Sequence, residues 1–210
     1  MRTTQTPPLL CLALLVGALL VGCTPGSAGG EGIGGDPAAS TPAPSRAEGQ
    51  TLWSVTGTDE QLPDDDPDVQ AVRTLITVHS GVIDNRSPEN IEASLEEEFG
   101  LYTPEFAATL DGVDWRETAL ERVASGASVV EQRGVAWMQS SIDAERSTAS
   151  VQYESYVVFT AGDEAFLRDN GITLGAEYLM IREVTAAVHD GEWLISGIRE
   201  SGLQPRTSPE

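Results

Sequence analysis

The sequence contains no lysine, so all the formal positive charge of its 210 residues rests on twelve arginines, against 33 acidic residues. The resulting net charge of −21 argues against nucleic acid as a partner, since phosphates bind to basic surfaces. It argues equally against electrostatic docking on anionic lipid. Without lysine the chain also lacks a Schiff-base nucleophile and a P-loop lysine.

Cysteine is almost as scarce, since Cys11 and Cys23 are the only two. Cys11 lies in the run from Leu9 to Val21, which is apolar apart from glycine and too short to span a bilayer. Arg2 and a short polar stretch precede this run, as in an export signal. Once the signal is removed a single cysteine remains, so we expect no disulfide, no thiol redox centre and no cysteine metal site.

The end of the signal reads Leu20-Val21-Gly22-Cys23. This resembles the lipobox of a bacterial lipoprotein. The resemblance implies that signal peptidase cuts before Cys23, that Cys23 carries a thioether-linked diacylglycerol, and that the membrane is thereby a partner. The mature protein would then be anchored to the outer face of the cell membrane. The alternative is an ordinary signal peptide in which Cys23 is incidental.

Composition divides the chain into four parts. We assign residues 1–22 to the signal peptide, 23–63 to the lipidated cysteine and a disordered tether, 64–202 to a folded domain, and 203–210 to a disordered tail. The tether is rich in glycine, serine, alanine, proline and threonine and shows no apolar periodicity. Its one apolar island, Leu52-Trp53-Ser54-Val55, either docks on the folded domain as an extra edge segment or is an exposed apolar site in a disordered stretch.

The first half of the domain shows helical spacing of apolar residues. Three aspartates before Pro67 predict the start of a helix of about 18 residues. Its predicted buried stripe is Val72, Leu75, Ile76, His79, Val82 and Ile83. Ser87-Pro88, Thr103-Pro104, and Asp114 with Glu117 are typical helix starts and predict three more helices.

After Gly126 the period changes to two and the residues become β-branched and aromatic, which predicts strands at about 128–142, 148–160, 177–189 and 192–199. Asp190-Gly191 predicts a type I′ hairpin between the last two. The long segment 161–176 is either a lid or a disordered excursion. Helices followed by an antiparallel meander indicate an α+β fold, with the helices on one face of a sheet of about four strands.

From about residue 66 to 200, the long first helix, the element order and the ending from Val188 to Ser196 resemble the nuclear transport factor 2-like fold. The membrane anchor, the Thr103-Pro104-Glu105-Phe106 segment and the closing Gly191-Glu192-Trp193 are similar to mammalian cell entry (Mce)-associated proteins of bacterial envelopes. The fold resemblance implies a sheet curled into a cone that holds an apolar ligand, and some members, ketosteroid isomerases and polyketide cyclases, are enzymes. The Mce resemblance implies an accessory of an envelope transport system with an envelope protein partner.

His79 is the best candidate for acid–base chemistry, because it falls within the apolar stripe of the first helix. Tyr153, Tyr178 and Arg182 lie on strands expected to line the cone and complete the candidate cavity-lining set. We expect the more ordinary arrangement, in which His79 is at the border of the stripe, bonded to backbone or water, with an ordinary titration. No acid matches a catalytic motif, so no catalytic residue is assigned.

Other charged groups have simpler interpretations. His189 beside the Asp190-Gly191 turn is expected to be exposed, and two distant histidines do not have the spacing of a zinc site. The run Asp64 to Asp68 is interpreted as a helix cap rather than a calcium loop, since it lacks the glycine and distal glutamate of an EF-hand. Glu96-Glu97-Glu98 is interpreted as a solvated face. We predict no metal and no cofactor.

Together these features predict a lipid-anchored extracytoplasmic protein that acts as a non-enzymatic binding or assembly module. The alternatives are a carrier of a hydrophobic small molecule and an isomerase- or cyclase-type enzyme that acts on one. The interior of the domain distinguishes them. A sealed apolar core favours assembly, an open apolar cavity favours carriage, and a cavity with two close titratable groups favours catalysis.

Overall fold

The computed structural model describes residues 51–206. The predicted signal peptide, Cys23, most of the predicted tether and the last four residues lie outside the described residues. The helices are α1 (Pro67–Ile83), α2 (Ile91–Gly100), α3 (Pro104–Asp111), α4 (Trp115–Gly126) and α5 (Glu164–Asp169). The strands are β1 (Trp53–Val55), β2 (Gln61–Leu62), β3 (Val129–Trp137), β4 (Ser140–Ile142), β5 (Thr148–Ala161), β6 (Glu177–His189), β7 (Glu192–Glu200) and β8 (Gln204–Pro205). Within these residues no helix is long and apolar enough to cross a membrane.

The described strands form one mixed sheet in the order β2-β1-β4-β5-β6-β7, with β3 also paired to β5 and β8 to β6. Every pairing is antiparallel except that of β1 with β4. The predicted α+β class is confirmed, and so are the helices before the long antiparallel strands. The predicted number of about four strands is wrong, because the sheet has eight.

Part of this difference comes from the predicted strand 128–142, which the structure divides into β3 and β4. Both pieces pair with β5, since Trp137 lies opposite Tyr153 and Ser141 opposite Ser150. Between them the backbone turns so that the N–H of Ser140 donates to the carbonyl oxygen of Leu52 at 2.8 Å. β3 also contains two register shifts, and such irregularities bend and twist a strand.

The hairpin between β6 and β7 follows the local sequence signal closely. Asp190 and Gly191 have φ angles of 51° and 87°, as a type I′ turn requires. β6 has the predicted bounds and β7 extends one residue further. The predicted candidates Tyr178 and Arg182 both lie on β6, which pairs with the closing strand β7.

α1 begins as predicted. The side chain of Asp66 is the N-cap and accepts from the N–H groups of Asp68 and Val69, at 3.0 and 3.3 Å. Arg146 donates to the same carboxylate at 2.9 Å, which supports the helix-cap interpretation of this acidic run. The buried face of α1 packs on the sheet in a core with members such as Val69, Val72, Ile76, Ile142, Val151 and Ile195.

The start of α2 and the cap of α4 differ from the prediction, whereas α4 begins after Asp114 as predicted. Ser87 makes a turn instead of an N-cap, because its carbonyl oxygen accepts from the N–H groups of Asn90 and Ile91, and α2 therefore begins at Ile91. Asp114 precedes α4, but its φ of 54° places it in the left-handed region and its side chain caps nothing. α3 begins as predicted, since Thr103 accepts from the N–H of Phe106 at 3.3 Å.

The domain includes residues that composition assigned to the tether. Trp53 on β1 is 1% exposed and belongs to the main core, and Leu62 on β2 is 2% exposed. The alternative in which the apolar island docks on the sheet is therefore the one that the structure shows. At the other end, β8 pairs with β6, so Gln204 and Pro205 also belong to the sheet rather than to the predicted tail.

The segment 161–176 contains α5, which packs against the end of α4. The N–H of Asp163 donates to the carbonyl oxygen of Gly126 at 2.7 Å. A Cβ atom at Gly126 would lie 2.9 Å from the ring of Phe166, so only glycine permits this close approach. The segment is an ordered part of the domain rather than a disordered excursion.

Candidate functional site

A cavity of about 620 Å³ lies between the helices and the sheet. All five helices or their ends contribute to its wall, together with β3, β5, β6 and β7. Most of the wall is apolar, including Leu110, Val130, Val157, Phe159, Ile172 and Ile198. The polar groups of the wall come from α1 and the segment after it, from α2 and its C-terminal extension, from α4, from the strands β6 and β7, and from Ser128 and Asn170.

Arg182 is the centre of a buried ionic cluster on this wall. It is 3% exposed and donates to both carboxylate oxygens of Asp84, at 2.5 and 2.6 Å, and through Nε to Glu200 at 2.7 Å. Asp84, 2% exposed, also accepts from the hydroxyl of Ser155. Burial alone would lower the pKa of Arg182, but hydrogen bonding and attraction to Asp84 outweigh it and raise that pKa.

A second cluster joins Glu98 on α2, Tyr102 just after α2 and Arg86 between α1 and α2. Glu98 accepts from the hydroxyl of Tyr102 and forms a short ion pair with Arg86. Glu98 is 3% exposed, so the predicted solvated face is wrong for this residue, whereas Glu96 and Glu97 are exposed as expected. Burial and the neighbouring Glu98 raise the pKa of Tyr102, which keeps its hydroxyl protonated.

His79 lies beside this cluster and is fully buried. Its Nε2 is 3.0 Å from the hydroxyl oxygen of Tyr102, and its Nδ1 has no hydrogen-bond partner among the described residues. Burial, together with the charges of Arg182 and Arg86, lowers the pKa of His79 from 6.5 to about 3. The expected solvent-accessible border histidine with an ordinary titration is therefore wrong, because α2 and Tyr102 cover the face of α1 that carries His79.

The four predicted cavity-lining residues divide into two pairs. His79 and Arg182 do line the cavity. Tyr153 is instead buried in the main core, where its hydroxyl has no partner among the described residues and burial raises its pKa to about 12. Tyr178 is buried beside Phe159, and its hydroxyl accepts from the N–H of Thr173 at 2.7 Å and so holds the segment after α5.

Sequence reasoning missed the acidic half of the site. Asp84 and Glu98 are ordinary acids in the sequence, and no local motif marks them. Glu98 does fall three residues after Leu95 and one before Phe99, at the edge of the predicted apolar face of α2, and this position was the only signal for it. Among residues 51–206 no group of three or more histidine, cysteine, aspartate or glutamate side chains is arranged to hold a metal ion.

The buried histidine gives the domain a specific pH dependence. Because the pKa of His79 is about 3 in the folded protein, against 6.5 for an unperturbed histidine, the unfolded chain gains a proton below pH 6.5 that the folded chain does not. The free energy of unfolding should therefore fall as the pH falls. Between pH 7 and pH 5 it should fall by about 2 kcal/mol less in His79→Gln than in the wild-type protein. Urea unfolding at the two pH values measures the difference.

Proton NMR of the imidazole provides the direct test. His79 should stay neutral from pH 8 to pH 5 in the wild-type protein and equally in His189→Gln, where the half-exposed histidine at the end of β6 is removed. A titration of His79 with a midpoint near its ordinary value of 6.5 would contradict the buried, neutral state.

No family model and no curated protein matches the chain. Several solved structures resemble its backbone at low identity. An IcmL-like type IV secretion system protein from Legionella pneumophila subsp. pneumophila str. Philadelphia 1 is 8% identical, with 69% of this chain and 96% of that chain covered and a TM-score of 0.41. The VirB8 protein of Agrobacterium tumefaciens is 8% identical, with coverages of 70% and 100% and a TM-score of 0.42. A hexachlorocyclohexane dehydrochlorinase, LinA Type2, is 10% identical, with coverages of 68% and 93% and a TM-score of 0.39.

Proposed function

We propose that this protein is a lipid-anchored extracytoplasmic binding protein that holds an apolar small molecule in the cavity of a nuclear transport factor 2-like domain. The observation that carries the proposal is the cavity itself, whose volume of about 620 Å³ lies within the range of small-molecule sites, about 300–1,000 Å³. An assembly module needs no such space. The cavity therefore favours the binding alternative over a packed domain that serves only as a structural support.

The polar groups of the wall favour binding over catalysis. Asp84 and Glu98, the buried acids, are held in ion pairs with Arg182 and Arg86. His79 has a pKa of about 3, and such a base accepts protons poorly near neutrality, where a general base works best with a pKa close to the ambient pH. The titratable groups of the wall are thus near one another, but the two acids are ion-paired with arginines and the histidine is a weak base.

Binding of an uncharged fluorescent probe tests the proposal. N-phenyl-1-naphthylamine should bind to the mature protein with increased emission, because it exchanges water for the apolar wall. Val130→Trp, which enlarges a half-buried wall residue, should weaken binding by at least about tenfold. The matched control is Val188→Trp, which enlarges a 39% exposed valine on β6 outside this cavity. Equal weakening by both changes, or no binding to the wild type, would refute the proposal.

The anchor part of the proposal rests on Leu20-Val21-Gly22-Cys23 and is tested separately. Cys23→Ala should abolish both lipid labelling and processing before residue 23, and a diacylglyceryl group supplies the two chains that stable anchoring requires. Normal processing and membrane fractionation of Cys23→Ala would contradict it. The accessory role in an envelope transport system, with an envelope protein partner, is proposed on the Mce resemblance alone.

A further inference from the structure

The charged groups that line the cavity are largely neutralised by one another. Arg182 is paired with Asp84 and Glu200, and Arg86 is paired with Glu98. A charged ligand group placed among these buried pairs would have to displace one of them, and removing one partner of a buried pair is costly. The inner wall is therefore suited to a ligand whose buried part carries no net charge.

The hydrogen bonds around Tyr102 assign the protons of His79. Tyr102 has a single hydroxyl proton and donates it to Glu98, whose carboxylate also forms an ion pair with Arg86. The hydroxyl oxygen of Tyr102 must then accept from His79, so Nε2 of His79 carries the proton. A neutral imidazole has only one N–H, and Nδ1 of His79 is consequently a lone-pair acceptor.

This acceptor is one of three buried side-chain polar atoms that lack a partner among residues 51–206. Two of the three belong to residues that line the cavity, Nδ1 of His79 on α1 and Nε1 of Trp115 at the start of α4. Buried polar atoms in native proteins nearly always have a partner in the protein, in bound water or in an ion, so an unpaired one calls for an explanation. The first atom requires a donor and the second requires an acceptor.

We propose that the ligand is an uncharged, mostly apolar molecule bearing a hydroxyl or N–H group, and that this group donates to Nδ1 of His79. The inference rests on the proposed function, since it specifies the ligand class of the same cavity. Nε1 of Trp115 provides a donor for an oxygen of that molecule. The ligand class is thus an apolar alcohol, phenol or amide rather than a pure hydrocarbon or an anionic amphiphile.

A pair of isosteric probes tests the inference. 4-Phenylphenol and 4-methylbiphenyl differ only in a hydroxyl against a methyl group of similar size, and hydrophobic transfer alone favours the methyl compound. Displacement of N-phenyl-1-naphthylamine from the mature protein should show that 4-phenylphenol binds about tenfold more tightly. Equal affinities, or tighter binding of 4-methylbiphenyl, would overturn the ligand class while leaving the proposed function standing. If neither compound nor the fluorescent probe binds, the proposed function itself fails.

A third probe, biphenyl-4-carboxylate, tests for an anion site. Arg122 on α4 lines the cavity, is exposed, and forms no ion pair within the described residues. Tighter binding of the carboxylate than of 4-phenylphenol would overturn the inference in favour of an anionic ligand held at Arg122. Weaker binding supports the uncharged class.

The role of His79 is tested by His79→Gln, because a glutamine amide can reach the position of Nε2 and keep the contact with Tyr102 while Nδ1 is lost. In this variant 4-phenylphenol and 4-methylbiphenyl should bind with about the same affinity, whereas the preference for 4-phenylphenol should persist in the matched control His189→Gln. In the wild-type protein labelled with ¹⁵N-histidine, the Nδ1 resonance of His79 should shift with 4-phenylphenol and not with 4-methylbiphenyl. This second measurement does not depend on folding of the variant, and identical responses to both compounds would overturn the inference.

Discussion

Replacing Asp84 with alanine is expected to lower the free energy of unfolding by about 3–5 kcal/mol, because it leaves the guanidinium of Arg182 buried without its main counter-charge. Arg182 and Asp84 are 3% and 2% exposed, and two hydrogen bonds of 2.5 and 2.6 Å join them. Glu200 would still contact Arg182 through Nε, but its side chain is 41% exposed and cannot replace the bidentate contact. Urea unfolding followed by circular dichroism measures the change.

Asp111→Ala is the matched control. It also removes an aspartate from an ion pair with arginine, since Asp111 and Arg116 are 3.2 Å apart, but the side chains are 56% and 40% exposed. An exposed pair of this kind contributes about 0–1 kcal/mol. A loss of similar size for Asp84→Ala and Asp111→Ala would contradict the structural role of the buried cluster.

The double variant Asp84→Ala/Arg182→Met separates the pair from the penalty of an unpaired charge. With both charged groups removed, part of the stability lost in Asp84→Ala should return, because a buried ion pair is often no more stabilising than an apolar replacement. No recovery would indicate that the loss comes from packing around Asp84 rather than from the uncompensated charge of Arg182.

The elements that sequence predicted well are those whose signals are local. The alternation in 177–189 and the Asp190-Gly191 turn define β6, β7 and their connection without help from the rest of the chain. The same holds for Thr103 as the cap of α3. Ser87-Pro88 is an equally good helix start in the sequence, but the N–H groups of Asn90 and Ile91 donate to the carbonyl oxygen of Ser87 and form a turn there. Both a turn and a helix start favour serine and proline, so the local sequence does not distinguish them.

The site was predictable only in part, because its contacts join residues far apart in the chain. The apolar stripe of α1 includes His79, the predicted strand 177–189 includes Arg182, and both residues line the cavity. The surroundings of His79 depend on Tyr102, which is 23 residues away, and the partner of Arg182 is Asp84, which is 98 residues away. No periodicity or spacing rule pairs such residues, so the buried, neutral state of His79 required the tertiary structure.

The N-terminal boundary of the domain shows the same limit. Composition placed residues up to 63 in the tether, because one short apolar island in a stretch rich in glycine and proline gives no period to detect. In the structure this island forms β1, which pairs in parallel with β4 and places Trp53 opposite Ser140. The sequence predicts β4 only as the end of a longer strand, 128–142. It therefore does not predict the separate strand edge with which β1 pairs.

Trp53→Ala is accordingly expected to destabilise the domain by about 3–5 kcal/mol, the usual cost of removing a buried tryptophan. Trp53 is 1% exposed, and its neighbours in the same core include Leu62 and Ile142.

Truncation of the chain tests the same contact. If residues 24 to about 60 were a tether, as their composition indicates, their removal would leave thermal unfolding unchanged. With Trp53 in the core, a chain that begins at residue 64 should unfold at markedly lower temperature than one that begins at residue 46, which keeps β1 and β2. Equal melting temperatures for the two trimmed chains, together with a loss below about 1 kcal/mol for Trp53→Ala, would show that β1 contributes little to the fold.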